Sequence, residues 1–541
     1  MFHKTTPQSS LFEVDNYLPN ALPVDDWCFM YSEKILPLID EDIFKPLYSE
    51  THGRYNASIK TSISLLIFMG NEKLNWREAE YQFPRRLDWL VATQTPIGEA
   101  YIDHTTLFKF YNRLEDNDTA QTLFTDLTNR FIELCGTSVK KQRTDSFFIH
   151  GWLKTLSRYG LFKETIRSFL QALNKHKSGL YAQIASELSK DYLKCEFDLT
   201  EKDHEKANRM VSEMAHDLYK IKCAFENHKQ VQHYTSFKTL CLVFSQQCEL
   251  KDTGEEDLEI VIKEKPDKDC LSTPHNTDAR YTRKQDQKVT GDKGFVTETC
   301  DPLNKTQFIT DTSVTKSTEP DCIEQPNILD RLEESMRKPE EQFGDAGFVN
   351  GETILDAEKK GVVLEGPAAG HSQSLDTYHG TDRNLDVSDF DVCIDTENDT
   401  MTIELCPGGN APIDQHRSEK TGKINAHFDV DTCSNCNEKE RCPVKIGSRT
   451  ATVTMNEADV TGARRHHQYM NDKEYRKKCS IRSGAEALVS EMTRKHGMRR
   501  SRHKKRKRTK LQLIFAALAC NVKRFMRHGQ RYGFMTPNYA I

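Results

Sequence analysis

The segment Tyr475–Lys510, YRKKCSIRSGAEALVSEMTRKHGMRRSRHKKRKRTK, combines a helical pattern with a high density of positive charge. Arg482 and Glu486 stand four residues apart, so one helix would place them on the same face. Arg494 lies about two helical turns beyond Glu486, and nine of the twelve residues in Arg499–Lys510 are Lys or Arg. A carboxylate among so many cations is suited to holding a divalent metal against a phosphate backbone. The same pattern would also fit an ordinary solvated helix.

The composition narrows the class of protein. A chain of 541 residues has room for roughly three or four domains. Charged residues make up 29% of the chain and hydrophobic residues only 37%. We therefore expect that part of the chain is an insertion without a well-packed core. The net charge of −5 conceals an acid-rich middle and a basic C-terminal region, which favours a nucleic-acid partner. No apolar run reaches the length of a membrane span, and the N-terminus lacks a signal-peptide core. We expect a cytoplasmic, nucleoid-associated protein.

The N-terminal region, residues 20–135, has a helical pattern. Ile59–Gly70 predicts an apolar helix that ends at its glycine, and Asn75 with Glu78 forms the sequence pattern of a capping box. Asp103 is placed to cap the helix after that. Short helices with several surface Arg and Lys residues suit a helix-turn-helix-like DNA-binding unit. A plain helical bundle is the alternative.

The first candidate catalytic acid is Asp145. Residues Thr137–His150 read as a buried strand built around Thr144-Asp145-Ser146. A carboxylate inside an apolar strand is costly unless it is paired or binds a metal. The alternative is an aspartate in a turn at the end of the strand. After this strand, residues 151–248 predict a helical insert, and the charged residues 249–293, broken by Pro and Gly, predict a loop or partly disordered segment.

The second candidate acid is Asp345. Gly294–Cys300 and Gln307–Val314 predict a hairpin, which we expect to lie antiparallel to the Asp145 strand. Further on, the sequence EQFGDAGFVN (Glu341–Asn350) predicts a short strand that ends in a tight turn at Asp345. A glycine beside an acid at such a point lets the backbone and a ligand come close. A simple turn aspartate is again the alternative.

Several motifs in order along the chain resemble one family. They are RTDS around Asp145, YTRK at Tyr281–Lys284, GDKGFVTETCDP, GDAGF with Asp345, LEGPA, and RSGAEALVSEMTRKHG with Glu486. From about residue 30 to 525 the chain resembles bacterial insertion-sequence transposases of the DDE type. The resemblance implies an α/β fold with a ribonuclease-H-like mixed sheet flanked by helices. It also implies that Asp145, Asp345 and Glu486 are the catalytic acids and hold Mg²⁺ or Mn²⁺.

The motif around Glu486 keeps some features of the family and changes others. Arg482 matches the arginine that the family places four residues before its glutamate. The family often has a tyrosine three residues before that arginine, whereas this chain has Cys479 there and Tyr475 one turn earlier. Where the family places a basic residue seven positions after the glutamate, this chain has Thr493, with Arg494 next to it. The second-acid motif is Asp-Ala-Gly-Phe rather than the usual Asp-Gly-Gly-Tyr.

The implied chemistry is two-metal phosphoryl transfer. Two divalent ions stabilise both the attacking and the leaving oxygen of a phosphodiester, and carboxylates suit Mg²⁺. The resemblance implies cleavage and strand transfer on double-stranded DNA, at transposon ends and target, by a homodimer. Cations near the acids would neutralise phosphates. The residues predicted to contact DNA are Arg482, Arg494, Arg499, Arg500, Arg502, Lys504, Lys505 and Arg506.

A second group of candidate metal ligands consists of cysteines. Asp389–Pro407 predicts a hairpin that ends at Cys406, and Cys433, Cys436 and Cys442 follow. Four thiolates at this spacing predict a structural Zn²⁺ site that would secure a loose insertion. Four free thiols are the alternative. Related transposases place a similar cysteine group here.

The sequence therefore predicts a DDE transposase in four parts. A repurposed or inactive transposase that only binds DNA is the competing hypothesis, and a nuclease without strand transfer is a third. The last predicted core helix is Leu511–Phe525. The predicted parts are a helical DNA-binding domain at 20–135, the first part of the catalytic domain at 136–367, the zinc-binding insertion at 368–460, and the catalytic helix with basic tail at 461–530.

Overall fold

The computed structural model describes residues 1–4, 10, 12–115, 118–152, 156–194, 204–252, 258–266, 269–284, 287–369, 383–395 and 400–534. It has a mixed α/β architecture, as predicted. The helices are α1 Val14–Tyr17, α2 Trp27–Met30, α3 Ile59–Glu72, α4 Trp76–Gln82, α5 Leu87–Ala92, α6 His104–Arg113, α7 Thr119–Cys135, α8 Arg158–His176, α9 Ser178–Ala185, α10 His204–Phe225, α11 Thr235–Gln247, α12 Asp321–Glu334, α13 Gly351–Lys359, α14 Val430–Ser434, α15 Glu457–Asn471, α16 Lys473–Cys479, α17 Gly484–Arg494 and α18 Arg506–Tyr532.

The central sheet has six strands. They are β1 Lys141–His150, β4 Arg280–Lys284, β5 Gln287–Thr299, β6 Ile309–Lys316, β7 Glu341–Phe343 and β8 Val363–Glu365. The order is β4-β5-β1-β7-β8, and β6 also pairs with β5. β5 is antiparallel to β1, β4 and β6, whereas β1, β7 and β8 are mutually parallel. The predicted hairpin and its antiparallel place beside the Asp145 strand are confirmed.

The prediction of a loop at residues 249–293 is wrong. Strands β2 Cys248–Asp252 and β3 Leu258–Ile262 form a hairpin there, and β4 with the first half of β5 forms another. In β2, Glu249 and Lys251 alternate with Cys248 and Leu250, and in β3, Glu259 lies between Leu258 and Ile260. Ile260 and Ile262 pack on the helical insert. Charge density suggested a loop because it hid this period-two pattern.

Within the described residues, three separate hydrophobic clusters accompany a large main core. Helices α8–α11 form their own core, α12 and α13 pack on the sheet around Phe295, and the strands after residue 390 surround a small core at Phe390. The main core joins α3–α7 to α18 and to β1 through residues such as Phe131 and Phe525, whose rings stack 4.3 Å apart. The N-terminal helices therefore share one core with the C-terminal helix.

Helix ends in the N-terminal region follow local capping, with one exception. The capping box of Asn75 and Glu78 is confirmed, and Asp103 accepts a hydrogen bond from the Thr105 N–H at 2.7 Å. Gly70 does not end its helix, because α3 continues to Glu72 and stops at Lys73, which has a φ of 60°. A Cβ at Gly70 would lie 3.2 Å from the Ala519 Cβ. This glycine serves close packing between α3 and α18.

The segment Tyr475–Lys510 is not one continuous helix. α16 and α17 are separated by a 3₁₀ turn at Ser480–Ser483, so Arg482 and Glu486 do not share one α-helix. The basic stretch after Arg499 first runs through bends at 502–505 and then enters α18, which contains the predicted core helix Leu511–Phe525. No helix among the described residues is long and apolar enough to cross a membrane.

The segment between the sheet and α15 is a small β-rich unit. Its strands are β9 Asp391–Asp395, β10 Thr400–Leu405, β11 Asp414–Arg417, β12 Ile424–Phe428, β13 Lys445–Ile446 and β14 Ala451–Met455. β9 and β10 form the predicted hairpin, and the other four strands pair in the order β11-β12-β14-β13. Partly buried Cys406, Cys433 and Cys442 pack against its core.

Candidate active site

Asp145 lies in the middle of the central strand β1. Its neighbours Phe147 and Ile149 on the same strand face are buried and belong to the main core. Asp145 Oδ1 accepts a hydrogen bond from the Ser146 N–H at 2.7 Å. The carboxylate is therefore half-buried at the border between an apolar core and the sheet surface.

Asp345 follows β7 at the same level of the sheet. β7 runs parallel to β1 with Arg143 opposite Phe343, and Asp145 and Asp345 each come two residues later. The Asp345 side chain accepts a hydrogen bond from the Gly347 N–H at 2.8 Å, and its carbonyl accepts one from the Phe348 N–H at 3.0 Å. This tight turn fixes the carboxylate at the strand end, as the sequence predicted.

Glu486 is exposed in the first turn of α17, which packs on β1. Arg143 sets this contact. Its Nη1 donates to the Ile481 carbonyl at 2.9 Å, and its Nε and Nη2 donate to Glu298 Oε1 at 2.9 and 2.6 Å. A Cβ at Gly484 would lie 1.9 Å from Arg143 Nη1. The glycine lets α17 begin directly against this guanidinium.

Three other carboxylates influence Asp145, and one of them, Asp321, was not predicted. The pKa of Asp145 is raised to about 6, chiefly by burial and further by the carboxylates of Asp345, Asp321 and Glu486. The Ser146 hydrogen bond lowers that pKa. A divalent cation would relieve this accumulation of negative charge.

Sequence reasoning missed Asp321. It is the first residue of α12, directly after the sheet hairpin, and only 9% of its surface is exposed. Its Oδ1 accepts a hydrogen bond from Lys293 Nζ at 2.9 Å. An acid in the first turn of a helix is common because it complements the helix dipole, so its position alone gave no signal.

The predicted DNA-contacting residues fall into two groups. Arg499 pairs with the end of β1, since its carbonyl accepts from the His150 N–H at 3.0 Å, and Arg500 bridges to the same residue. Arg494, Arg499, Arg500, Lys504 and Lys505 are exposed, and Arg482 is partly exposed. Two others are engaged by the protein itself: Arg502 donates to the Leu74 carbonyl at 2.7 Å and Arg506 to Asp292 Oδ1 at 2.9 Å.

Tyr475, the nearest tyrosine to the family position held by Cys479, is buried. Its hydroxyl donates to Glu365 Oε2 at 2.7 Å, and burial raises the pKa of the phenol. Lys478 Nζ donates to Glu365 Oε1 at 2.7 Å. This tyrosine ties α16 to the end of β8.

The four predicted zinc ligands border one pocket. Cys406, Cys433, Cys436 and Cys442 all line it. The Asn410 N–H lies 3.4 Å from Cys406 Sγ, and the Glu438 N–H lies 3.4 Å from Cys436 Sγ. Such backbone donors stabilise thiolates, so the donor set fits a soft cation.

A comparison with models of protein families gives a match in the C-terminal part of the chain. Residues 405–526, which are 122 of the 541 residues, match the family described as Transposase DDE domain. No match was found among curated proteins or among solved structures. The matched stretch of the DDE domain contains Glu486, all four cysteines and the basic segment, whereas Asp145, Asp345 and Asp321 lie before it.

Other ligand clusters lie outside this site. Among the described residues, groups with ligand atoms within 4.8 Å of one another are Glu491–His496–Cys520, Glu80–Asp103–His104 and Asp386–Asp389–His467. Neither the acids around Asp145 nor the four thiols are drawn together this tightly. Glu491 pairs with Arg524 at 2.9 Å, and Asp103 and Asp386 cap helices, so internal contacts account for much of these three groups.

Proposed function

We propose that this protein is a DDE transposase that cleaves DNA and transfers strands by metal-dependent phosphoryl transfer. The transposase DDE domain indicates an activity of this general class. The observation that carries the specific proposal is geometric: Asp145 and Asp345 lie at the same level of the parallel strands β1 and β7, and Glu486 lies in the first turn of α17, which packs on β1. These acids come from a strand, a strand end and a helix that are far apart in the chain.

The central sheet supports a ribonuclease-H-like catalytic domain. Its first strand is central, with the antiparallel hairpin β5–β6 on one side and the parallel strands β7 and β8 on the other. The first acid lies on β1, the second follows the fourth strand of this core, and the third lies on the late helix α17. This is the placement that the resemblance implies.

The chain's own residues fit a hard divalent cation. Asp145, Asp345 and Glu486 would hold Mg²⁺ or Mn²⁺, because carboxylate oxygens are the ligands these ions prefer. When bound, the ions would lower the pKa of the attacking water and stabilise charge on the attacking and leaving oxygens. Arg143 fixes the start of α17 and so orients Glu486, while the Gly347 N–H orients Asp345. The exposed cations Arg499 and Arg500, at the end of β1, would hold phosphates nearby.

The decisive experiment replaces each acid by its amide. Asp145→Asn, Asp345→Asn and Glu486→Gln should each reduce Mg²⁺- or Mn²⁺-dependent cleavage by several orders of magnitude, because each removes a metal ligand. The measurements are cleavage of a duplex that carries the ends of the encoding DNA element, and binding to the same duplex, which should persist.

Glu474→Gln is the matched control, because Glu474 is exposed on the neighbouring helix α16. It should cleave normally. Near-normal cleavage by any acid variant would remove that residue from the site. Intact DNA binding without cleavage in the unaltered protein would favour the alternative, a transposase-derived protein that only binds DNA.

We also propose a structural Zn²⁺ held by Cys406, Cys433, Cys436 and Cys442. The common pocket and the backbone donors at Cys406 and Cys436 support it. The unit around β9–β14 has only a small core of its own. A metal would stabilise such a unit where apolar burial is limited.

DNA recognition is divided between two regions in this proposal. The N-terminal helices around α6 would read the transposon ends, and the basic segment after α17 would hold phosphates close to the acids. We propose that the protein acts as a homodimer on DNA and works in the cytoplasm at the nucleoid. A nuclease without strand transfer would use the same acids and would differ in leaving the cleaved ends unjoined.

A further inference from the structure

Asp321 is a buried acid that is not one of the three proposed catalytic acids. Lys293 Nζ approaches Asp321 Oδ1 at 2.9 Å and the Glu319 carbonyl at 2.6 Å. Both side chains of the pair are about nine-tenths buried. The lysine therefore fixes one oxygen of the carboxylate and leaves the other to face elsewhere.

The second oxygen faces the turn that carries Asp345. A Cβ built at Gly347 would lie 2.8 Å from Asp321 Oδ2 and 3.0 Å from Asp345 Oδ1. Two carboxylates thus converge on one small residue, whose N–H already donates to Asp345.

This arrangement differs from an ordinary ion pair. One lysine cannot neutralise two neighbouring carboxylates, and like charges in a partly buried site repel each other unless they share a cation. A helix N-terminus lowers part of this cost for Asp321, but it does not reach the other acids. A divalent cation between the carboxylates would remove the repulsion.

We propose that Asp321 is a fourth carboxylate of the metal site, presenting Oδ2 to the cation held by Asp145 and Asp345 while Lys293 holds Oδ1. The inference rests on the proposed function, because it adds a ligand to the same site. It assigns Gly347 a second role, since any larger residue there would separate the two carboxylates.

The test is Mn²⁺ binding by the full-length protein, measured by titration calorimetry without DNA. Asp321→Asn should weaken Mn²⁺ binding at least tenfold. Lys293→Met removes the ion pair but keeps the carboxylate, so its Mn²⁺ affinity should equal or exceed that of the unaltered protein. The double variant Lys293→Met/Asp321→Asn avoids a buried unpaired lysine and should bind as weakly as Asp321→Asn.

Asp311→Asn is the matched control. Asp311 is a buried carboxylate on β6 that pairs with Arg331 of α12 at 2.8 Å. Its replacement should lower stability and leave Mn²⁺ affinity unchanged. Unchanged Mn²⁺ affinity in both Asp321→Asn and the double variant would overturn the inference and leave an ion pair alone. Absence of Mn²⁺ binding in the unaltered protein would instead overturn the proposed metal site as a whole.

Discussion

Arg143 and Asp145 lie two residues apart on β1, carry opposite charges and have different roles in the proposed site. In the proposed site Asp145 supplies a carboxylate, whereas Arg143 holds the start of the helix that carries Glu486. The guanidinium bonds to Glu298 and to the Ile481 carbonyl leave it little freedom to move. The position of Glu486, the third proposed acid, therefore depends on this contact and on the absence of a side chain at Gly484.

We expect Gly484→Ala to separate catalysis from binding. The backbone φ of −64° at Gly484 suits alanine, but the new Cβ would displace Arg143. Overpacking of this kind costs about 1–3 kcal/mol of stability. Cleavage should fall at least tenfold, while DNA affinity stays within about twofold, because α17 shifts and the basic surface remains. Parallel cleavage, DNA-binding and urea-unfolding assays measure these effects.

Gly179→Ala is the control for that substitution. Gly179 lies in α9, and nothing approaches its Cβ position within 4 Å. Alanine there should stabilise the helix by up to about 1 kcal/mol and leave cleavage unchanged. Normal cleavage by Gly484→Ala would show that Arg143 yields without moving Glu486.

In the zinc proposal, the stability of the β-rich unit β9–β14 depends on its cysteines. Its core is small, and three of the four cysteines pack on the rim of that core. The unit connects the sheet to α15–α17, so it lies between the second and third acids in the chain. Loss of its order would reach the helix that carries Glu486.

The zinc proposal predicts about one Zn²⁺ per chain, measured by elemental analysis of protein purified under reducing conditions. Cys436→Ser should release the zinc and expose β9–β14 to proteolysis. Cys393→Ser is the control, because Cys393 is exposed on β9 of the same unit. It should retain the metal. Protein that contains no zinc before any substitution would refute the site.

The basic stretch before and within α18 belongs to the same folded body as the N-terminal helices. The N-terminal helices and α18 pack together, so the regions proposed to read DNA sequence and to hold phosphates belong to one body. Within the basic stretch, Arg506 and Arg508 pair with Asp292 and Glu115 and support this packing. The exposed Lys504, Lys505 and Lys507 carry charge outward.

Neutralising Lys504, Lys505 and Lys507 with glutamine should weaken binding to any duplex. Each phosphate contact contributes roughly 0.9 to the slope of log affinity against log salt, so the slope should flatten by about two to three units. Preference for the transposon ends should remain, because the N-terminal helices read the bases in this proposal. Binding isotherms at several salt concentrations measure both quantities.

Glutamine at Lys175, Lys229 and Lys238 provides the control with the same change in net charge. These exposed lysines lie on the helical insert, and their loss should leave the slope almost unchanged. Arg506→Gln should act differently and lower stability, because it leaves Asp292 buried without its partner. If the variant of Lys504, Lys505 and Lys507 kept the slope of log affinity against log salt and lost its preference for the transposon ends, the basic segment would be reading bases.

The sequence determined the elements and the candidate acids of this protein. Strand periodicity, capping residues and motif order predicted β1, the β5–β6 hairpin, the cap at Asp103 and the positions of Asp145, Asp345 and Glu486, because these depend on neighbours in the chain. The helix end at Gly70, the strands after residue 249 and the break between Arg482 and Glu486 were predicted wrongly. Packing against α18 accounts for Gly70 inside α3, and the Arg143 contact with the Ile481 carbonyl accompanies the break before α17. The strands after residue 249 are local hairpins, and charged residues hid their pattern. Only the tertiary structure placed Asp321 beside the site and tied Arg506 to Asp292, because both depend on contacts between segments far apart in the chain.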